Sequence, residues 1–359
     1  MNLCNICINR TSLNLYASNK CDICNNISIN AYHIYNKLKK QIANIEFNTF
    51  LVGIILPEYI IEKDEAFTNK FISLKKYLNK EISKLLANDF NKIIDKHDPH
   101  ITILIDLINN SYRLEIKSLY IYGGYKKLVR GIPQARWLCK CIDGCELCKG
   151  RGKLYRTSIQ ELIAKPILKY SRGKDSAIHA AGREDIDVRC LDYRPFIIEI
   201  KYPKRRSISL DLIEEEINRG KYVNVKGLHF SNKDEVRRLK SLSYDKTYRA
   251  LVTFLSNIDE EALIKVKELI NKPIVQKTPT RVKHRRADII RIRRIKDIQY
   301  NIISKRRAEF IIRAEGGLYI KEFINGDNER TNPSIAYIIN NKVRKIILDV
   351  IKLHIHDKF

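Results

Sequence analysis

Between Gly182 and Val188-Arg189 the chain packs four charged side chains, in the run Gly182-Arg183-Glu184-Asp185-Ile186-Asp187-Val188-Arg189. A charge cluster of this density is commonly a solvated loop. Here it leads through Cys190 and Leu191 into Arg194-Pro195-Phe196-Ile197-Ile198-Glu199-Ile200, which reads as a strand. A carboxylate flanked by arginines beside a strand is well placed to be a buried, ionised catalytic group. Arg183 and Arg189 would each favour the charged form of a neighbouring aspartate. Asp185 and Asp187 are both candidates. In an extended segment they point to one face, so spacing leaves the choice between them open.

A second chemistry is carried by the cysteines. Cys4-x-x-Cys7 and Cys21-x-x-Cys24 are paired knuckles separated by residues 8–20. Each knuckle sets two thiolates on one tight turn, and two knuckles complete a tetrahedral site, so structural zinc is expected here. Cys139, Cys141, Cys145 and Cys148 offer a second site of less regular spacing, since Cys139-Lys140-Cys141 is short for a knuckle. Cys190, beside the charged loop, reads as a small apolar filler.

These groups belong to a chain of 359 residues, for which two domains are the natural prior. A hydrophobic content of 44% supplies real cores, and 30% charged is ordinary. The net charge of +26 is not ordinary, and it points to a polyanionic partner, most simply a nucleic acid backbone. No run approaches the roughly 18 apolar residues of a spanning helix, so no membrane is expected. The N-terminus shows no secretory h-region, and a cytoplasmic protein with reduced thiols follows.

The elements that must position these groups read as α+β. A basic helix is expected over Ala31–Glu46, a strand over Phe47–Leu56, a long amphipathic helix over Phe67–Asp95, and paired strands over Ile101–Leu107 and Arg113–Tyr122. The turn Gly150-Arg151-Gly152-Lys153 marks a boundary, giving domains 1–155 and 156–359. Beyond it strands and helices alternate: strand Pro195–Tyr202, helix Ser209–Arg219, strand Val223–Phe230, helix Asp234–Leu242, strand Tyr248–Leu255 and helix Ile258–Asn271. Then come β-rich runs at Ala287–Ile295, Arg307–Ala314 and Leu318–Ile324, a helix at Pro333–Ile339 and a last strand at Val343–Ile355. Lys277, Arg281, Lys283, Arg285, Arg286, Arg291, Arg293 and Arg294 face a single Asp288 in their stretch. Such density reads as a phosphate-tracking surface.

The charged loop resembles the Gly-Arg-x-Asp signature of pseudouridine synthases. Gly182 through Phe196 is most similar to the loop of the tRNA pseudouridine synthase family shared by archaea and eukaryotes, the "Pus-ten" family. Tyr125-Lys126-Lys127-Leu128-Val129-Arg130-Gly131-Ile132-Pro133-Gln134 through Trp137 resembles the stretch closing that family's N-terminal RNA-binding domain. Lys246-Thr247-Tyr248-Arg249-Ala250-Leu251-Val252 is similar to its second catalytic motif. Gly316-Gly317-Leu318-Tyr319-Ile320-Lys321-Glu322, with Gly326-Asp327 and Arg330-Thr331-x-Pro333-Ser334, is similar to its third. All four occur in the family's order. At Leu191-Asp192-Tyr193 the chain departs from the pattern, where a glycine-containing turn is expected.

The resemblance implies a zinc-binding THUMP-like α/β domain followed by a pseudouridine synthase domain, a mixed, mainly antiparallel sheet with flanking helices. It implies a monomer that isomerises uridines 54 and 55 of the tRNA T arm without an organic cofactor. It assigns catalysis to Asp185, the aspartate after Arg-Glu. Tyr248 is implied as the platform under the flipped uracil and Lys321, on a strand, as the basic partner of Asp185. Arg183 would fill the vacated space and hold phosphate. Leu318 and Tyr319 are expected to line the substrate site, with Ile320 in its floor, and Arg285, Arg286, Arg293 and Arg294 to contact RNA. The alternative, a non-catalytic zinc-containing RNA-binding factor, accounts for charge and cysteines but not for the ordered motifs. A THUMP-containing methyltransferase would need a glycine-rich cofactor loop, and no GxGxxG is present.

Charge reversal at Arg285, Arg286, Arg293 and Arg294 should weaken tRNA binding and flatten its salt dependence by roughly one unit of log–log slope per lost phosphate contact. Binding titrations from low to high salt measure this. An unchanged slope would make the run a solvated face with no part in binding.

Overall fold

The computed structural model describes residues 2–11, 16–67, 71–141 and 144–355, leaving aside the side chain of Arg285. The chain divides into two compact units. One comprises residues 1–119 with 167–175 and 200–208; the other comprises 120–166, 176–199 and 209–359.

The first unit begins with a short helix α1 (Asn5–Asn9), then α2 (Ile27–Ile42), β1 (Thr49–Ile55), α3 (Glu58–Phe67), α4 (Leu74–Phe90), β2 (Ile93–Ile94), β3 (Ile101–Asp106) and β4 (Ser111–Ile116). The four strands form one sheet in the order β2-β1-β3-β4, parallel except for the β3–β4 hairpin. In α2 the buried residues Ala31, Ile34, Tyr35, Leu38 and Ile42 recur at helical spacing, and in α4 Leu74, Leu78, Ile82 and Leu86 do the same. These stripes share one core with Phe50, Val52 and Ile54 of β1 and Ile101, Ile103 and Ile105 of β3.

The remaining elements are β5 (Leu119–Lys127), α5 (Ile159–Ser171), β6 (Asp175–Ala180), β7 (Arg189–Lys201), α6 (Leu210–Asn218), β8 (Val223–Ser231), α7 (Lys233–Ser241), β9 (Asp245–Phe254) and α8 (Glu260–Ile264). They continue with β10 (Pro273–Lys277), β11 (Ile290–Ser304), β12 (Arg307–Ala314), α9 (Ile320–Asn325), β13 (Thr331–Asn332), α10 (Ile335–Ile338) and β14 (Val343–His354). Among the described residues, ten strands make one large sheet, β13-β10-β11-β12-β9-β14-β7-β5-β8, with β6 on β7. Its β9, β11, β12 and β14 ladders are antiparallel, and β14 meets β7 in parallel. The α+β class read from the sequence is the class that forms. Among the described residues, no helix is long and apolar enough to cross a membrane.

Three local expectations are corrected, and the departure from the family pattern at Leu191-Asp192-Tyr193 shows in the backbone. The stretch Phe67–Asp95 is not one helix: α4 spans only Leu74–Phe90, because Asp64 of α3 caps the Leu74 N–H at 2.7 Å and Asn91 ends the helix in the left-handed region; residues 68–70 lie outside the described residues. Arg113–Tyr122 divides between two sheets, β4 in the small one and β5 in the large one. Leu191-Asp192-Tyr193 forms no turn, since β7 runs unbroken from Arg189, and Asp192 accepts the Leu353 N–H at 2.8 Å. Leu318–Ile324 is not a strand. Lys321 stands on helix α9, whose buried Ile320, Phe323 and Ile324 follow helical spacing and whose end is closed by Gly326 at φ +82°.

One buried carboxylate ties the middle of the large sheet. Asp349 of β14 sits in register with Arg189 of β7 and Arg249 of β9, and it accepts from Arg189 at 2.8 and 2.9 Å, from Arg249 at 3.2 Å and from Arg130. Burial alone would raise its carboxyl pKa; the three guanidiniums override this and hold it below the usual range. Its contribution to stability is therefore complete above the ordinary carboxylate value of about 4 and is lost as pH falls through the lower folded-state value. Asp349→Asn should destabilise the protein by about 3 kcal/mol at neutral pH, the lower end for a broken buried pair because the arginines stay partly solvated. The deficit should shrink below about pH 4 in denaturant titrations. A pH-independent deficit would show that shape, not charge, is what Asp349 contributes.

Candidate active site

The loop after β6 is pinned from the inside before it presents anything to solvent. Gly182 takes φ +78°, and a Cβ there would lie 3.1 Å from Arg194 Nη1, so the position requires glycine. Glu184 turns inward and pairs with buried Arg194 at 3.0 Å. The Tyr125 hydroxyl lies 3.1 Å from both Glu184 oxygens, and Gln134 donates to that hydroxyl at 2.7 Å and to the Gly182 carbonyl at 3.1 Å. Lys127, whose ammonium burial lowers to about 8, donates to the Asp185 and Ile186 carbonyls at 3.0 and 2.9 Å. Arg130 donates to the Asp187 carbonyl at 2.7 Å. A buried ion pair holds its place only with such additional hydrogen bonds.

With Glu184 turned in, Asp185 faces a cleft of about 320 Å³ lined by Gly182, Arg183, Lys246, Tyr248, Arg281, Arg291, Leu318, Tyr319, Ile320 and Lys321, among others. Arg281, on a 3₁₀ turn over Thr280–Arg285, grips Asp185 with both terminal nitrogens at 2.9 Å. Its Nε donates to Glu322 at 2.6 Å. Lys321 lies 3.6 Å from Asp185 but donates to both oxygens of Asp187, at 2.6 and 2.7 Å. The Asp185 side chain is 31% exposed and that of Asp187 62%. Burial works against ionised Asp187, and the Lys321 ammonium outweighs it, holding the carboxyl below its ordinary value. Asp187 lines a neighbouring pocket of about 300 Å³ with Pro133 and Trp137, which Asp185 and Lys321 also border.

Tyr248 lies on β9 at the cleft wall, where burial raises its phenol well above the ordinary value and keeps it protonated. Arg183 is exposed at the cleft edge, and Leu318 and Ile320 are buried in its wall. The Tyr319 ring lies 5.9 Å from the Arg281 guanidinium and 5.6 Å from that of Arg291. Of the arginines expected to meet RNA, Arg286 lines the cleft. Arg293 instead donates to the Gly316 carbonyl at 2.9 Å and to that of Ile292 at 2.7 Å, because Gly317 lets it lie against the backbone. Arg294 is exposed outside the cleft lining. The side chain of Arg285 lies outside the described residues.

In the sequence Arg281 and Arg291 stand out only as members of a basic run, and the residue types of Lys246, Arg194 and Glu322 by themselves carry no signal of a role in the site. Burial in the cleft wall lowers the Lys246 ammonium to about 8. Motif position could have singled out Glu322, which follows Lys321 directly. Nothing in the sequence ties Arg281, 96 residues away, to Asp185.

Each set of four cysteines converges. The sulfurs of Cys4, Cys7, Cys21 and Cys24 lie within 4.8 Å of one another, all four residues buried, and those of Cys139, Cys141, Cys145 and Cys148 do likewise at a more open place. All nine cysteines are free thiols. Four sulfurs at this separation fit tetrahedral ligation of one ion.

A family model described as "Pus10, C-terminal" matches residues 120–354, and one described as "Pus10 THUMP domain, archaeal" matches residues 34–106. The tRNA pseudouridine synthase Pus10 of Methanocaldococcus jannaschii is 45% identical over 327 residues, covering 89% of this chain and 72% of its own. That of Archaeoglobus fulgidus is 38% identical over 358 residues, covering 98% and 99%. The chain belongs to the Pus10 family. As a member of that family it is a pseudouridine synthase, an isomerase. Among solved structures, a chain of a Cbf5–Nop10–Gar1 complex aligns over 64% of this chain and 48% of its own, at 17% identity and a TM-score of 0.35, too loose a fit to bear on the site.

Elemental analysis of the purified chain should find bound divalent metal. Cys4→Ser or Cys24→Ser should each remove about one ion per chain, because loss of one thiolate opens a closed four-ligand site. Metal content unchanged by either substitution would exclude the buried cluster as a metal site.

Proposed function

We propose that this member of the Pus10 family converts uridines 54 and 55 of the tRNA T arm to pseudouridine, with Asp185 as the catalytic carboxylate. The observation that carries the reading is that Asp185 shares one cleft with Tyr248 while a fixed guanidinium grips both its oxygens. Tyr248, Leu318 and Ile320 offer an aromatic and apolar bed for a base. Flipping a uridine out of its stack costs a few kcal/mol, which such a bed and the flanking cations offset. In the cleft Asp185 opposes C1′ as the C1′–N1 bond breaks. The freed uracil turns against Tyr248, C5 joins C1′, the C5 proton leaves and N1 takes up a proton in its place. Bond making and breaking balance within the nucleotide, so the reaction calls for no organic cofactor.

Asp187 is the weaker candidate. It is twice as exposed as Asp185, is held by Lys321, and lines the neighbouring pocket but not the cleft that holds Tyr248. Arg183, Arg286 and Arg291 at the cleft edge suit phosphates on either side of the target. The net charge of +26 suits a tRNA substrate, and the names of the relatives carry the same substrate. The metal is proposed to be structural zinc in both clusters, by the chemistry of four thiolates.

Asp185→Asn keeps the shape and removes the charge. Gel-shift affinity for an unmodified tRNA transcript should be preserved while turnover falls at least about 10³-fold, in line with removal of a nucleophile. Asp187→Asn should keep measurable turnover. The opposite pattern, an active Asp185→Asn and a dead Asp187→Asn, would move the catalytic role to Asp187.

A further inference from the structure

Glu322 is a buried acid on α9, the helix that brings Ile320 and Lys321 to the cleft. Its side chain is 4% exposed, and it follows Lys321 on α9. Burying a carboxylate is costly unless it is paired and hydrogen-bonded. Its partner is Arg281, which donates from Nε at 2.6 Å, with Nη2 at 3.5 Å from the other oxygen. Arg281 sits in the connection between β10 and β11, on a 3₁₀ turn with no ladder to fix it. Its guanidinium is nevertheless held on two sides. The Nε edge meets Glu322, and the two terminal nitrogens meet Asp185, one oxygen each, at 2.9 Å. A guanidinium is planar, so fixing the Nε edge fixes the direction of the fork.

We propose that Glu322 is a positioning residue for the isomerisation: it locks the Arg281 guanidinium so that its fork sets both oxygens of Asp185 in the cleft. The proposal rests on the reading of Asp185 as the catalytic carboxylate. Glu322 does not line the cleft, and its carboxylate is engaged by Arg281. It acts through Arg281, and its loss should appear in the rate of the chemical step and not in the grip on RNA. The Tyr319 ring, 5.9 Å from the same guanidinium, packs against the assembly without replacing the Nε contact.

The test is single-turnover pseudouridine formation on a tRNA transcript by the full chain, with tRNA affinity and thermal melting measured alongside. Glu322→Gln should lower the rate at saturating enzyme by ~10–100-fold, the scale of a misplaced reacting group, with affinity within about 3-fold of wild type. Glu322→Asp, which keeps the charge, should recover part of the rate. In an Arg281→Lys background, which has no Nε edge to hold, Glu322→Gln should change the rate less than about 3-fold further. A wild-type rate in a folded Glu322→Gln protein would overturn the proposal. So would a loss confined to affinity, a loss in proportion to melting temperature in Gln and Asp variants alike, or independent effects of the two sites. If the wild-type chain itself fails to turn over tRNA, the reading of function falls; if it turns over and Glu322→Gln matches it, only the positioning role falls.

Discussion

The ion pair between Glu184 and Arg194 is the constraint on which the candidate active site depends. Both side chains are buried, and neither could remain so without the other and the hydroxyl of Tyr125. With Glu184 committed inward, its neighbour Asp185 faces the cleft. Lys127, itself buried, and Arg130 hold the backbone carbonyls of Asp185, Ile186 and Asp187 in the same turn. Gly182 lets Arg194 approach where a side chain would obstruct it. The loop is thus rigid on account of groups that take no part in chemistry, which is what a reacting group needs from its surroundings.

The cleft then solves an electrostatic problem. Asp185, Asp187 and Glu322 lie close together, and Arg281 and Lys321 divide them. Arg281 joins Asp185 to Glu322, while Lys321 favours Asp187 and reaches Asp185 at longer range. Further cations on the cleft, Arg183, Arg286 and Arg291, leave the surroundings positive enough to receive a phosphate backbone. The same principle operates deeper in the sheet, where Asp349 gathers three arginines from two strands and a connection.

Much of this was legible in the chain. The helix expected over Ala31–Glu46, the strand Arg307–Ala314 and the helix expected from Ser209 follow local rules, and α2, β12 and α6 form there. The Gly182–Arg189 run announced a charged loop leading into a strand, and that loop borders the cleft. Other features turned on partners distant in sequence. Glu184 read as one more surface charge, because its burial is decided by Arg194 and by Tyr125 from another strand. Arg281 was one of eight cations in a basic run, and only the fold brings it to Asp185. Lys321 reads as a strand residue in sequence because it lies in the β-rich run Leu318–Ile324. The competing signal, apolar residues at helical spacing closed by Gly326, was there to be weighed. Arg293 shows the limit of reading charge as binding: it spends its donors on backbone carbonyls.

The most direct measurement is nucleotide-resolution mapping of pseudouridine in unmodified tRNA transcripts incubated with the purified chain and no added cofactor. New pseudouridine at positions 54 and 55, absent when the protein carries Asp185→Asn, is the predicted result. Transcripts that bind the protein and emerge with both uridines unchanged would contradict it.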